Sequence, residues 1–379
     1  MHLNPQFDYQ KFLKNSWQKK PEILRNFLLY EQLITPNELA GLSCEKFSES
    51  RLVLENPPKK IKHGPFAEKV FEKLPAEGWS LLVQSVDFYH EQTRQLKELF
   101  DFIPGWRLDD IMVSFATSGG GVGPHFDHYD VFLIQGDGKR LWQLGDVCDL
   151  HTIIDDSSQL NLLSKFSAKE EFILEKGDAL YLPPHISHNG ISLNNSLCFS
   201  VGFRAPSAYE MSPQINGTKN ESDNPFHRFR NADSSDKQKF CCEITEIDLK
   251  KAFNLSSYND YEGFVRLFGT LVTEPRDKEL FYNNSLVDSL QDLLRIIEGK
   301  VRICLNPASR FAFCILNSLD LVFLFADGRT YPVSINEARL VEEFSEEYFF
   351  ERFIDKHQTS ECAKVILDMI RFGSIEILD

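Results

Sequence analysis

Two histidines and an aspartate in this sequence have the types and spacing of metal ligands. A glycine-rich run, residues 119–123, leads into a His-x-Asp pair formed by His125 and Asp127, and His188 follows after a Pro-Pro turn. Two imidazoles and one carboxylate can occupy one face of a metal ion and leave the opposite face open. This ligand set is diagnostic of non-haem Fe(II) oxygenases. The spacing therefore predicts a metal centre of that kind.

The spacing does not decide which His-x-Asp pair binds. If residues 125–135 form a strand, side chains two positions apart share a face, which brings His125 and Asp127 together. His128 and Asp130 form a second pair of the same kind on the opposite face. Both pairs therefore remain candidates.

The third ligand is ambiguous as well, because His185 lies three residues before His188. We expect His188 just past the end of a strand that stops at Pro183-Pro184. Ordinary hydrogen bonding inside a β core explains these histidines equally well, and in that case no metal binds here.

An arginine downstream supports the metal interpretation. Arg140 begins the strand after the turn at residues 136–138, and Trp142 and Leu144 follow on the same face. An arginine on the inward face of a barrel needs an anionic partner to offset its burial. The distal carboxylate of a bound dicarboxylate would supply that partner through two hydrogen bonds. The alternative is a surface arginine beside Lys139.

Short β-rich runs separated by Gly and Pro turns continue from residue 79 to residue 203. Closely spaced strands of this kind are typical of a barrel or a double-sheet jelly roll. Before them, residues 7–30 have mostly helical spacing, and after them residues 212–239 are polar, which predicts a linker. The expected strands are 80–86, 111–116, 125–135, 141–144, 172–174, 179–182 and 197–203.

The strand and helix patterns in the last third of the chain predict a small α+β unit. Its expected strands are 311–316 and 321–325, and its expected helices are 336–344 and 362–372. Two further helices are predicted before it, over residues 258–268 and 285–297.

Composition narrows the class of protein. A chain of 379 residues, 42% hydrophobic and 26% charged, is an ordinary globular protein of two or three domains. Its net charge of −15 disfavours bare nucleic acid and favours a basic protein partner, although solubility alone also explains many of the charges. The N-terminus has no signal-peptide pattern, no stretch resembles a membrane span, and the eight cysteines form no Cys-x-x-Cys pair. We therefore expect a cytoplasmic protein with reduced thiols.

Four longer motifs contain the residues named above. They are Gly-Gly-Gly-Val-Gly-Pro-His-x-Asp-x-Tyr-Asp-Val-Phe, Gln-Gly-x-Gly-x-Arg-x-Trp, Gly-Asp-x-Leu-Tyr-x-Pro-Pro-x-x-x-His and Ser-Val-Gly-Phe-Arg-Ala-Pro. Together they resemble the bacterial ribosomal oxygenases, which are cupin/JmjC-type hydroxylases. With weaker matches upstream, the resemblance covers nearly all of residues 8–207.

The resemblance implies a double-stranded β-helix (a jelly roll of cupin/JmjC type) that depends on Fe(II) and 2-oxoglutarate. Carried over by motif, His125, Asp127 and His188 are the implied iron ligands, and Arg140 is the implied partner of the distal carboxylate of 2-oxoglutarate. Ser114 is implied to support the cosubstrate through a hydrogen bond.

The implied reaction is hydroxylation of the β-carbon of an arginine in the sixteenth protein of the large ribosomal subunit. The alternatives are a histidine or lysine of another protein, or a non-catalytic cupin scaffold. The implied partners are a basic ribosomal protein and a second copy of the chain in a homodimer, with no direct nucleic acid binding and no membrane.

The resemblance also implies a division of the chain into three parts. Residues 1–207 form the oxygenase domain with N-terminal helices, residues 208–299 a flexible linker and helical region, and residues 300–379 a winged-helix-like domain. The match is weak over 208–290, which puts the dimer in doubt, and the acidic stretch 342–347 disfavours DNA binding. Ala116 stands where the family has a hydroxyl group, which puts a two-hydroxyl arrangement at the cosubstrate in doubt.

Overall fold

The structure is a computed structural model of the 379-residue chain. It describes all residues except 32, 56–58, 156–159, 213–223, 234–236, 282–286, 288, 290, 293–294, 296–301, 318, 339–347, 350–359 and 379. The chain separates into two units. The first comprises Met1–Phe102, Leu108–Ala205 and Asn224–Lys237, and the second Ile103–Arg107, Pro206–Asp223 and Gln238–Asp379. The three-part division into 1–207, 208–299 and 300–379 stays a prediction.

The first unit is mostly β-structure with short helices. Its helices are α1 Tyr9–Asn15, α2 Pro36–Leu42, α3 Val86–Tyr89 and α4 Glu91–Gln95, with 3₁₀ turns at Glu68–Lys73 and Leu96–Phe100. Its strands are β1 His2–Leu3, β2 Glu22–Leu24, β3 Leu28–Leu29, β4 Ser50–Leu54, β5 Lys60–His63, β6 Trp79–Val83, β7 Leu108–Ala116, β8 Asp130–Asp137, β9 Lys139–Val147, β10 Glu170–Glu175, β11 Ala179–Leu182, β12 Ile186–Ser192 and β13 Ser196–Phe203.

Two antiparallel sheets form the body of this unit. The larger has eight strands in the order β2-β11-β8-β13-β7-β6-β4-β5, and the smaller has the order β10-β9-β12. One cluster of buried apolar side chains draws on both sheets, which places the core between them. Its members are Val131, Leu133, Trp142, Leu144, Leu174, Leu180, Leu182 and Cys198. The predicted jelly-roll fold is confirmed.

Most of the predicted strands are found, with two exceptions near the proposed ligands. The strand predicted over 125–135 begins only at Asp130, so that prediction is wrong for residues 125–129. The strand Ile186–Ser192, which contains His188, was not predicted, and His188 was expected beyond a strand end. Its polar sequence, Ile-Ser-His-Asn-Gly-Ile-Ser, lacks the β-rich composition on which strand prediction relies.

The prediction of a mostly helical segment over 7–30 is also wrong. Only Tyr9–Asn15 is helical, and Asp8 caps it by accepting a hydrogen bond from the Lys11 backbone N–H. Pro21 is incompatible with a continuing helix, and Glu22–Leu24 pairs with Ala179–Leu182 at the edge of the large sheet. Pairing with the sheet thus outweighs the helical spacing of the apolar residues.

A buried hydrogen-bond network joins this N-terminal arm to the barrel. The Asp130 carboxylate, fully buried, accepts hydrogen bonds from the Tyr181 hydroxyl at 2.6 Å and the Gln18 side-chain amide at 2.8 Å. The backbone N–H of Gln18 donates to the Tyr181 hydroxyl at 2.7 Å. Asp130 is therefore committed to the core and is not a partner of His128 in a metal site.

Part of the polar segment 212–239 belongs to the same network. The Asn231 backbone N–H donates to the Gln18 side-chain oxygen at 2.7 Å, and the Asn231 side chain accepts from the Trp17 indole at 3.1 Å. Phe229 and Asn231 are almost fully buried. Residues 224–233 thus pack on the barrel, which differs from the solvated linker that composition suggests, because two residues are enough to anchor a short polar segment.

The second unit holds two three-stranded sheets with helices. Its cluster of buried apolar residues includes Phe313, Leu324, Ala338 and Ile370. The bounds are α5 Glu246–Leu255, α6 Tyr261–Thr273, β14 Arg302–Leu305, β15 Phe311–Leu316, β16 Leu321–Ala326, β17 Arg329–Pro332, α7 Ile335–Ala338, β18 Tyr348–Phe349, α8 Ser360–Phe372 and β19 Ile375–Leu378, with 3₁₀ turns at Gly105–Arg107 and Lys278–Leu280. The sheet orders are β18-β14-β19 and β15-β16-β17.

Several predictions for this unit can be compared with its elements. The two predicted strands are found as β15 and β16, and the helices predicted over 258–268 and 362–372 are found as α6 and α8 with shifted ends. Most of the helix predicted over 285–297, and most of that predicted over 336–344, fall outside the described residues. The winged-helix assignment stays a prediction. Among the described residues, no helix has the length and apolar character needed to cross a membrane.

The buried network predicts a stability effect that a shape-conserving substitution can isolate. Tyr181→Phe leaves the Asp130 carboxylate without one of its donors, so the free energy of unfolding should fall by about 2–3 kcal/mol. Tyr89→Phe is the matched control, because the Tyr89 hydroxyl donates to the Phe47 carbonyl at the surface. That change should stay within about 0.5 kcal/mol. Chemical denaturation of both variants measures the difference, and equal effects would contradict the network's role.

Candidate metal centre

His125 and His188 face each other across an isolated antiparallel bridge. The His125 N–H donates to the His188 carbonyl at 3.0 Å, and the His188 N–H donates to the His125 carbonyl at 2.8 Å. The centroids of the two imidazole rings lie 4.3 Å apart. Two residues distant in sequence are thereby held side by side by their own backbones.

Backbone carbonyls set the tautomers of both rings. Nδ1 of His125 lies 2.8 Å from the Gly123 carbonyl, and Nδ1 of His188 lies 2.9 Å from the Ile186 carbonyl. A carbonyl oxygen can only accept, so each Nδ1 carries the proton and each Nε2 keeps its lone pair. This is the arrangement that orients a histidine for metal binding.

Asp127 completes the set. Its Oδ2 lies 3.6 Å from Nε2 of His188, and one ligand atom from each of His125, Asp127 and His188 lies within 4.8 Å of the others. Burial, and second the nearby His125, lowers the pKa of His188 to about 4, although Asp127 acts in the opposite direction. The His188 imidazole is therefore neutral near pH 7, and its contact with Asp127 is not an ion pair.

His125 and Asp127 are brought together by a different backbone structure from the strand that the sequence predicted. They do not lie on a regular strand, so alternation of side chains does not explain their common direction. They lie in the irregular segment before β8, which is held by the bridge to His188, by the Leu163 N–H on the Pro124 carbonyl at 2.9 Å, and by the His185 N–H on the Asp127 carbonyl at 2.7 Å.

His128 and His185, the alternative ligand candidates, hydrogen-bond to each other. Nε2 of His185 lies 3.1 Å from Nδ1 of His128, so one ring donates to the other. Burial, and then His128, Arg228 and Arg230, lowers the pKa of His185 to about 4, and burial and Arg228 lower that of His128. With two neutral rings in one hydrogen bond and Asp130 in the core network, the alternative pair is structural.

A phenylalanine from the segment 224–233 packs on this histidine pair. The Phe226 ring centroid lies 4.5 Å from that of His185 and 5.1 Å from that of His128, and the ring stacks on Phe126 at 5.8 Å. Phe126 lies between two of the proposed ligands in the sequence. The segment therefore supports the ligand-bearing loop from outside, a role that its composition does not reveal.

Arg140 is a buried cation without an anionic partner among the described residues. It is 7% exposed, and its guanidinium donates to the Ser114 hydroxyl at 3.2 Å and the Ser196 hydroxyl at 3.1 Å. Its Nε is buried with no acceptor among the described residues. Burial lowers the pKa of the guanidinium. The predicted inward arginine is thus present, and hydroxyls alone do not offset its charge.

Ser196 supplies a second hydroxyl to Arg140 from the strand next to Ala116. In the pairing of β13 with β7, Ser196 lies directly opposite Ala116. A hydroxyl from the neighbouring strand thus lies opposite the position at which the resemblance implies one, and Arg140 has two hydroxyl partners. Sequence reasoning missed Ser196, because register across strands is not visible in a single segment.

Trp142 lies between Arg140 and the proposed metal ligands. The Trp142 ring centroid is 5.9 Å from the Arg140 guanidinium carbon and 6.0 Å from the His188 ring centroid. Its indole N–H is buried with no acceptor among the described residues. In the pairing of β9 with β12, Arg140 lies opposite Ser192 and Leu144 lies opposite His188. The backbone positions of Arg140 and His188 are therefore four residues, or about 13 Å, apart along the strands.

Tyr129 is a further residue that sequence reasoning missed. Its hydroxyl donates a hydrogen bond to the Asp127 carboxylate, and the negative charge of Asp127 raises the pKa of the phenol, although 42% of the residue is exposed. The phenol therefore stays protonated and orients Asp127. Its place beside the His-x-Asp motif was the available signal.

The site geometry and the sequence have clear counterparts in known proteins. The family model for the JmjC domain matches residues 95–211. A stretch of 208 residues is 44% identical to the "Ribosomal protein uL16 3-hydroxylase" of Escherichia coli strain K12, covering 54% of each chain. The chain resembles the bacterial ribosomal oxygenases. A second relative, the "Probable ribosomal oxygenase" of Haemophilus influenzae, is 38% identical over 213 residues, 54% of this chain and 50% of the relative. The chain thus spans about half the length of the curated relatives it matches.

Solved structures of the family resemble the whole chain. The crystal structure of E. coli ycfD matches with a TM-score of 0.76 and 27% identity over 100% of both chains. A structure of the same E. coli ribosomal oxygenase in complex with cobalt and 2-oxoglutarate matches with a TM-score of 0.74 and 27% identity, covering 100% of this chain and 99% of the other. The chain therefore shares the fold of the E. coli protein well beyond the JmjC domain.

The site predicts which histidines a metal needs. His188→Ala should weaken binding of Co²⁺, a spectroscopic substitute for Fe(II), by more than about 100-fold, because loss of a direct ligand exceeds the effect of losing a supporting partner. His128→Ala is the control, since among the described residues its imidazole hydrogen-bonds to His185 and packs on Phe226 and Phe126. Calorimetric titration measures both. Equal losses of Co²⁺ affinity in the two variants would make His128 a candidate ligand again.

Proposed function

We propose that this chain is an Fe(II)- and 2-oxoglutarate-dependent protein hydroxylase in which His125, Asp127 and His188 hold the iron. The observation that carries the proposal is the convergence of three ligand atoms within 4.8 Å, with the Nδ1 atom of each histidine held by a backbone carbonyl. Two imidazoles and one carboxylate suit Fe(II) and leave room for a bidentate cosubstrate and dioxygen.

The buried guanidinium of Arg140 supports 2-oxoglutarate as the cosubstrate. A dicarboxylate can place one end at the metal and the other on Arg140, which supplies the missing negative charge and an acceptor for the orphan Nε–H. The separation of about 13 Å between the backbone positions of Arg140 and His188 is spanned by the arginine side chain and a five-carbon diacid together. Ser114 and Ser196 hold the guanidinium in place for this contact.

Bound iron and 2-oxoglutarate supply oxidising chemistry: 2-oxoglutarate, dioxygen and a substrate C–H bond give succinate, carbon dioxide and a C–OH bond. The protein's own residues position the metal ligands and keep water from the cosubstrate. The Nδ1–H groups of His125 and His188 are held by carbonyls, and Tyr129 orients Asp127. Because Arg140 and Trp142 are buried, the cosubstrate end of the site excludes water, which limits side reactions.

The substrate that we propose is an arginine of the sixteenth large-subunit ribosomal protein, hydroxylated at its β-carbon. Its support is the 44% identity to the E. coli enzyme named for that substrate. The net charge of −15 suits a basic ribosomal protein and disfavours direct contact with nucleic acid. A histidine or lysine of another protein is the alternative target, and a non-catalytic scaffold is disfavoured because it has no need of an unpaired buried arginine. A homodimer and a cytoplasmic location stay predictions.

The role of Arg140 predicts a loss specific to the cosubstrate. Arg140→Met should raise the KM for 2-oxoglutarate by about 10–100-fold, the effect of losing a charge-assisted pair of hydrogen bonds. Lys139→Met is the matched control, because Lys139 is exposed and pairs with Glu175 on the surface. Steady-state succinate formation measures both. An unchanged KM in the Arg140 variant would refute the assignment.

Hydroxylation itself is tested by mass spectrometry of the purified ribosomal protein after incubation with the wild-type chain, iron and 2-oxoglutarate. We expect a gain of one oxygen atom on one arginine, with one succinate per oxygen, and no gain with His125→Ala. Oxygen on a histidine or lysine would favour the alternative target. No hydroxylation by a wild-type sample that binds metal would overturn the proposal.

A further inference from the structure

The end of β9 and the loop that follows it expose three aliphatic side chains within seven residues. Val147 is 68% exposed, Leu150 61% and Ile153 67%. They are the most exposed large apolar side chains among the described residues of the first unit. Single exposed apolar residues are common, but a cluster on one short loop is typical of an interaction surface.

The loop has a defined conformation that keeps these side chains outside. The Asp149 carboxylate accepts hydrogen bonds from the His151 N–H at 2.9 Å and the Thr152 hydroxyl at 3.3 Å. The Asp149 N–H donates to the Thr152 hydroxyl at 2.8 Å, and the Thr152 N–H donates to the Asp149 carbonyl at 3.1 Å. Four hydrogen bonds thus close one tight turn, and Leu150 projects from it.

Backbone hydrogen bonds join the same loop to the ligand-bearing segments. The Cys148 N–H donates to the His185 carbonyl at 2.7 Å. At the other end, the Ser164 N–H donates to the Ile153 carbonyl at 3.0 Å, and Leu163 binds the carbonyl of Pro124, the residue before His125. The exposed cluster is therefore held at a set position relative to the metal centre.

The charged residues near the exposed apolar side chains indicate what kind of partner binds there. Residues 146–155 contain three aspartates and no lysine or arginine. One of them, Asp146, pairs with Lys169 while its side chain stays 71% exposed. An acidic surface repels the phosphates of nucleic acids and of anionic membranes, whereas a basic polypeptide with apolar side chains fits both features.

We propose that Val147, Leu150 and Ile153, with the three aspartates of residues 146–155, form a docking surface for a basic segment of the protein substrate outside the residue that is hydroxylated. This inference rests on the proposed function and adds a second point of substrate recognition to it. Apolar anchors in such surfaces carry much of the affinity, and flanking charges add steering and specificity.

The test compares two substrates and two variants of the full chain. The triple variant V147S/L150S/I153S should raise the KM for the full-length ribosomal protein by about 10–100-fold with kcat unchanged. With a short peptide that contains only the modified arginine and its immediate neighbours, KM should stay the same as for the wild type. Co²⁺ affinity should also be unchanged, which shows that the variant is folded.

Ile173→Ser is the matched control, because Ile173 is 45% exposed on β10 of the same unit and lies outside the loop. Its KM for the full-length protein should equal that of the wild type. The charge component is tested by Asp146→Lys, which should raise the KM for the full-length protein by about 5–10-fold at low salt and less at high salt.

The outcomes separate this inference from the proposed function. If the wild type hydroxylates the protein and the triple variant has an unchanged KM, the docking surface is refuted and the function stands. If the wild type binds Co²⁺ but hydroxylates nothing, the proposed function fails first. If light scattering shows that the triple variant changes the oligomeric state, the loop is instead a contact between copies of this chain, and the docking proposal is overturned.

Discussion

The pair of backbone hydrogen bonds between His125 and His188 is the constraint on which the proposed active site depends. Metal ligands far apart in sequence must be brought within a few ångströms without relying on their own side chains, since the ligand nitrogens have to stay available for the metal. Here the main chain does this. A register shift between Ile186 and His188 adjusts β12 so that the imidazole faces its partner. The carbonyls of Gly123 and Ile186 then set the tautomers.

Two buried charged side chains of the barrel differ in how their charge is met. The carboxylate of Asp130 has donors from Tyr181 and Gln18, so it stabilises the core. The guanidinium of Arg140 has only hydroxyls, and one of its N–H groups has no acceptor among the described residues. A protein does not bury an unpaired cation without cost. The difference distinguishes a structural charge from one that awaits a ligand, and it explains why Asp130 cannot serve as a metal ligand.

Support for the ligand loop comes from variable positions of the shared motifs and from segments outside them. The His128–His185 pair and Phe226 pack behind the His-x-Asp segment, and Asn231 ties the same polar segment to Trp17. The loop after β9 adds an acidic and apolar surface joined to the same segment by backbone hydrogen bonds. The family fold thus provides the barrel and the ligand geometry, while the residues around them give this chain its own supporting contacts.

The sequence by itself determined the jelly-roll class, most of the strands, the inward arginine and, through the resemblance, the set of residues that the structure brings together. Those features follow from local periodicity and from motifs within single segments. Only the tertiary structure decided that His128 and His185 bind each other, that Asp130 belongs to the core, that Ser196 lies opposite Ala116 and supplies a second hydroxyl to Arg140, and that Phe229 and Asn231 anchor a polar segment. The physical reason is that each of these depends on pairing or packing between residues distant in sequence. Such partners compete for the same side chains, and no local pattern records which partner wins.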